Sequence, residues 1–143
     1  MNNPIIQLKD LSKCYGTKKA VDKLNLDIHP GEIFGLLGPN GAGKTTSILM
    51  MLGLTEPTSG TATVCGYDAT RNPLDVKKLV GYLPDNVGFY PDMTALENLC
   101  FIANINGIDD QEAIKSAHDL LDIVGLNHAA NNKTGTFSRG MKQ

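Results

Sequence analysis

Three features of this 143-residue chain predict an α/β fold. Segments near the N-terminus alternate apolar and polar residues, short apolar runs are bounded by turn residues, and helices with start and stop signals begin near residue 94. Residues 5–11 and 24–28 alternate as half-buried strands do, so an antiparallel β region is expected first. Lys13-Cys14-Tyr15-Gly16 reads as a turn between them, and Asp27-Ile28-His29-Pro30-Gly31 as the turn that follows. Residues 31–37 read as a short, fully buried strand, and 45–52 as a helix stopped by Gly53. After the break at Glu56-Pro57-Thr58-Ser59-Gly60, residues 61–65 form a strand ended by Gly66, and 79–83 a second buried strand closed by Pro84. Together these make a mixed sheet. Thr94-Ala95-Leu96-Glu97 is a capping box, and Gly107 ends the helix it starts. Asp109-Asp110-Gln111-Glu112 offers a second box with Gly125 as the stop. Within that helix Ala113, Ile114, Ala117, Leu120, Leu121 and Val124 share a face and are expected to be core.

Between the buried strand and the first helix lies Gly38-Pro39-Asn40-Gly41-Ala42-Gly43-Lys44-Thr45, which fills every fixed position of G-x-x-x-x-G-K-[ST]. Glycines let the backbone curl so that successive N–H groups point inward at phosphate oxygens. The N-terminus of the following helix favours an anion. Lys44 adds a cation for the outer phosphates, and the Thr45 hydroxyl is a hard oxygen ligand for Mg²⁺. The chain is therefore expected to bind nucleotide phosphates.

Bulk properties exclude more than they assign. Thirteen basic against fifteen acidic residues give a net charge of −2, which carries no nucleic-acid footprint. Cys14, Cys65 and Cys100 are odd in number and lack C-x-x-C spacing, which suits reduced thiols of a cytosolic protein better than disulfides or zinc. No apolar run approaches transmembrane length, so any membrane link is expected to run through a partner. His29, His118 and His128 are scattered and read as surface or loop residues.

Three further segments resemble the ATP-binding cassette (ABC) family, the ATPases of ABC transporters, and the likeness runs from Ile5 to Gln143. Tyr15-Gly16 precedes the loop as the family's adenine-stacking aromatic does, although Tyr15 alone reads equally as an edge-strand packing residue. Val21 resembles the family's apolar adenine contact. Phe137-Ser138-Arg139-Gly140-Met141-Lys142-Gln143 resembles the LSGGQ signature in a variant form, with Arg139 and Met141 as departures. On its own, Ser138 is a helix cap. Val80-Gly81-Tyr82-Leu83-Pro84-Asp85-Asn86 resembles the Q-loop, with Asp85 where most members carry glutamine. A carboxylate can still bind Mg²⁺, but it is a stronger base than an amide; the alternative is a turn aspartate beside proline. The segment after Pro84, with the signature variant, is most similar to ABC-2-type exporter ATPases, including those of nitrous oxide reductase copper maturation.

The resemblance implies a P-loop NTPase fold of α/β class: a mixed sheet, an N-terminal antiparallel β region and an inserted α-helical subdomain. Residues 1–143 would be one truncated nucleotide-binding domain, with β region and loop core over about 1–85 and the helical subdomain over about 86–140. It implies ATP and Mg²⁺ as cofactors. Tyr15 and Val21 would meet adenine, and Asn40, Gly41, Ala42, Gly43, Lys44, Thr45 and Thr46 the phosphates. Lys44 and Asp85 would serve catalysis, and Thr45 and Asp85 the metal. Ser138 and Gly140 would cover the ATP of a second subunit in a head-to-tail dimer. Transmembrane permease subunits would hold the protein at the inner face of the cell membrane, and no nucleic acid is implied. The family's apolar strand ending in Asp-Glu, which supplies the general base, is absent from residues 1–143, so the C-terminal half of the core is expected to be missing. Residues 33–37 and 79–83 would then expose ladder edges, and the chain alone is expected to be marginally stable and inactive. The alternatives are a non-catalytic nucleotide-binding fragment and a soluble, non-transport ABC ATPase.

Overall fold

Alternating apolar and polar residues produce two long strands, β1 (Ile6–Tyr15) and β2 (Lys18–Ile28), in the computed structural model, which describes residues 3–84 and 87–143. They are antiparallel, from Ile6 opposite Ile28 to Tyr15 opposite Lys18. The turn is tighter than Lys13-Cys14-Tyr15-Gly16 suggested: only Gly16 and Thr17 lie between the strands, and Lys13–Tyr15 continue β1. Gly16 takes the left-handed backbone (φ 58°) that a two-residue hairpin requires. β3 (Ser59–Val64) pairs with the other edge of β1, and the short β4 (Tyr67–Asp68) with β3, giving the order β2-β1-β3-β4.

The β1–β2 ladder is bulged in its middle. Asp10 and Lys23 carry positive φ of 48° and 45°. The buried Ser12 hydroxyl pins the irregularity, donating to the Asp10 carbonyl (3.2 Å) and accepting the Lys23 N–H (2.8 Å). Helices α1 (Lys44–Met51) and α2 (Pro73–Leu79) add Met50 and Val76 to a core shared with Leu8, Leu11, Ala62 and Val64. Pro73 sits in the first turn of α2, where its missing N–H leaves no orphan donor.

Two expected strands do not form. Residues 32–38 have no strand or helix assignment, and Leu37 is 92% exposed. Leu79 ends α2, residues 80–84 are likewise irregular, and Leu83 is 65% exposed. An apolar run becomes a central strand only when neighbouring strands accept its backbone hydrogen bonds. Among the described residues every ladder is antiparallel, so the parallel component of the mixed sheet is unformed.

The chain divides into two compact units, Met1–Gly81 and Tyr82–Gln143. In the second, α3 (Ala95–Ile105), α4 (Asp110–Ile123) and the short α5 (Arg139–Lys142) surround a small core of Ala95, Leu121, Ala129, Ala130 and Phe137. Thr94 and Glu97 close the capping box in both directions. Asp109 caps α4 by accepting from the N–H of Gln111 and Glu112. The α4 stripe is narrower than expected: Ala113, Ala117 and Leu121 are buried, whereas Ile114, Leu120 and Val124 are exposed. The buried three repeat every fourth residue and so follow one line along the helix. The buried Asn98 amide joins the unit's irregular segments: it accepts the Tyr90 N–H (2.8 Å) and donates to the Tyr90 carbonyl (3.1 Å) and Thr134 hydroxyl (3.3 Å).

Candidate functional site

The glycine loop needs backbone angles that side chains resist, and Gly41 (φ 83°) and Gly43 (φ 87°) supply them. Gly43 is also fixed by packing. A Cβ there would lie 2.3 Å from the Ala20 carbonyl oxygen and 3.0 Å from Val21 Cγ2. The bare backbone therefore lets the head of α1 rest directly on β2. Val21, expected at the adenine, is buried in the core beneath this contact and sets where the loop sits on the sheet.

Gly43 caps α1 without a side-chain hydrogen bond. The first turn of α1 thus keeps N–H donors and a positive dipole end without a side-chain acceptor. Lys44 folds back into the loop, its Nζ donating to the carbonyls of Gly38 (2.6 Å) and Pro39 (2.8 Å). Those are neutral acceptors, and a phosphate oxygen would be a stronger, charge-assisted one. Thr45 is exposed at the head of the helix and Thr46 half-buried, while Asn40, Gly41 and Ala42 are exposed. A cavity of about 210 Å³ beside the loop is lined by Ala20, Val21, Leu37, Ala42, Lys44 and Ser47. A loop curled at two left-handed glycines, a lysine folded into it and an uncapped helix head fit a polyphosphate. The Thr45 hydroxyl fits Mg²⁺, which takes few protein oxygens and completes its shell with phosphate and water.

Tyr15 ends β1, 52% exposed, with Lys13 Nζ 5.2 Å from its ring centroid. Lys13 was not singled out from the sequence, although residues two apart on a strand share a face, and that signal was available. Asp85 lies outside the described residues. In the second unit Ser138 caps α5, its hydroxyl accepting the Met141 N–H at 3.3 Å, and buried Phe137 anchors the segment. Ser138 and Gly140 are exposed, and a Cβ on Gly140 would meet open space. Burial, reinforced by the Asp110 charge, pushes the Cys100 thiol up, which keeps it protonated and a poor nucleophile.

A family model described as ABC transporter matches residues 21–143. The chain is 45% identical over 139 residues to the bacitracin transport ATP-binding protein BcrA of Bacillus licheniformis, covering 97% of this chain and 44% of that protein. It is 42% identical over 139 residues to the linearmycin resistance ATP-binding protein LnrL of Bacillus subtilis, covering 97% and 45%. A solved structure of an ATP-binding subunit of an ABC transporter superposes with a TM-score of 0.76 at 30% identity, covering 96% of this chain and 57% of that one. The chain spans less than half the length of the two curated relatives.

Proposed function

The chain belongs to the ABC transporter family, and we propose that it forms the nucleotide-binding part of a transporter's motor subunit, binding Mg-ATP whose hydrolysis drives a membrane partner. The observation that carries this reading is the loop at 38–45, curled at two left-handed glycines, seated on β2 and closed over its own lysine. Loop N–H groups and those of the first turn of α1 hold the phosphates, and Lys44 leaves the Gly38 and Pro39 carbonyls to neutralise the outer ones. Thr45, with Asp85, would hold Mg²⁺ through hard oxygens, and the ion would supply neutralisation of the phosphate charge. Tyr15 offers its ring to adenine, while Val21 supports the loop from below.

Ser138 and Gly140 stand exposed at the head of α5, as a segment that completes the site of a second, head-to-tail subunit requires. No helix among the described residues is long and apolar enough to cross a membrane. In this reading a permease holds the protein at the cytoplasmic face of the membrane, and the helical unit makes that contact. Relatives named for bacitracin and linearmycin favour antibiotic export over the copper-maturation branch of the same subgroup. No apolar run ending in Asp-Glu occurs within residues 1–143, so what these residues supply to the site is its nucleotide-binding part.

In the full-length gene product, Lys44→Ala should lower ATP turnover by about a hundredfold or more, with the circular dichroism spectrum unchanged. Turnover near the unsubstituted rate would refute the assignment.

A further inference from the structure

Lys13 and Tyr15 leave β1 on the same face, and the Lys13 ammonium lies 5.2 Å from the centroid of the Tyr15 ring. That is within cation–π range. The ammonium is also tethered, donating to the Glu56 carbonyl at 2.6 Å. Glu56 belongs to the segment after α1, which is itself tied to β1: the Thr58 N–H donates to the Ser12 carbonyl (2.8 Å) and the Cys14 N–H to the Thr58 hydroxyl (3.0 Å). Lys13 is thus held by backbone at one side and covers the aromatic ring at the other. Tyr15 is 52% exposed as a residue, so its side chain is not enclosed.

From this arrangement we propose that Lys13 is a positioning residue for base recognition, which covers one face of the Tyr15 ring and presents the opposite face to adenine. The proposal rests on the nucleotide reading above. A cation over one face draws π-electron density toward itself, leaving the far face less negative and a better platform for an electron-rich purine. The tether fixes the plane of the ring relative to the segment that follows the phosphate-binding helix, so base and phosphate subsites keep a constant spacing. Lys13 acts through the ring and makes no contact with the phosphates.

The full-length gene product would be titrated calorimetrically with Mg-ATP and with magnesium tripolyphosphate, which has phosphates and no base. Lys13→Met should weaken ATP binding about three- to fivefold and leave tripolyphosphate unchanged. Lys13→Gln, which keeps a donor for the Glu56 carbonyl and removes the charge, should give the same ATP loss with an unchanged melting temperature. Lys13→Arg should restore affinity, because a guanidinium also stacks on an aromatic face. In a Tyr15→Leu background Lys13→Met should have no further effect. Equal weakening of both ligands, no weakening of ATP, or an effect that survives in the Tyr15→Leu background would overturn the role of Lys13. An unsubstituted protein that binds ATP no tighter than tripolyphosphate would instead refute base stacking at Tyr15, and one that binds neither would refute the phosphate loop; both outcomes also remove the ground for Lys13.

Discussion

The β1–β2 hairpin and the apolar run at 33–37 lie next to each other in sequence and meet opposite fates. In the hairpin each strand finds its partner across a two-residue turn, and Leu8 and Leu11 are buried beneath it. The run at 33–37 has a more apolar sequence, yet it pairs with nothing among the described residues and Leu37 stands almost fully in solvent. Residues 79–83 repeat the pattern. Antiparallel partners can be joined by a tight turn, whereas a strand buried on both faces needs neighbours brought from far along a chain. Hydrophobicity supplies the drive to be buried; it does not supply the partner.

Leucine truncation is the most forceful test of that contrast. Leu11→Ala, at a fully buried position, should destabilise this chain by about 2–5 kcal/mol in urea unfolding. Leu37→Ala should change stability by less than about 0.5 kcal/mol. Equal losses would mean that residues 33–37 are packed in solution as the hairpin is, and the contrast would collapse. A smaller loss is expected at the joint between the two regions. Gly43→Ala places a side chain at φ 87° against the Ala20 carbonyl, and the left-handed backbone alone costs about 1–3 kcal/mol. It should also weaken tripolyphosphate binding, because the loop must lift off β2; unchanged binding would show that the contact with Ala20 does not set the loop's shape.

The same division explains what could be read in the sequence. The capping box at Thr94 and Glu97 and the alternation at 24–28 are local patterns with the form expected, whereas a bulge interrupts the alternation at 5–11. Where geometry depends on distant residues, less is legible, although the expected exposure of residues 33–37 and 79–83 is seen. Residues 33–37 and 79–83 carry the composition of buried strands, but composition says nothing of whether partners exist. Val21 packs in the core and also lines the cavity beside the loop, and the close approach of Gly43 to β2 cannot be inferred from either segment alone. The α4 stripe was right in period and too wide, since the neighbours that pack on it decide which residues of an apolar face are covered.

A smaller loss again is expected at the most local device. At the start of α3 the Thr94 hydroxyl accepts the Glu97 N–H (3.1 Å) and the Glu97 carboxylate accepts the Thr94 N–H (2.7 Å). Thr94→Ala should destabilise the helical unit by about 0.5–2 kcal/mol. The hydrogen bond from the Thr94 backbone, then that from its side chain, holds the Glu97 carboxyl below its ordinary range, with a smaller contribution from Lys133. A carboxyl whose folded pKa is depressed binds its proton more readily when unfolded. Its contribution is therefore fully present above the unfolded carboxyl's pKa and is lost as pH falls through the depressed folded one. Glu97 is fully exposed, so this part should be slight and should shrink in high salt. Unfolding of Glu97→Gln followed from pH 7 to pH 3 should converge with the unsubstituted chain at the acid end, where both side chains are uncharged. A constant offset at every pH would show that the charge of Glu97 contributes nothing and that the box is held by geometry alone, as purely local as the turn between β1 and β2.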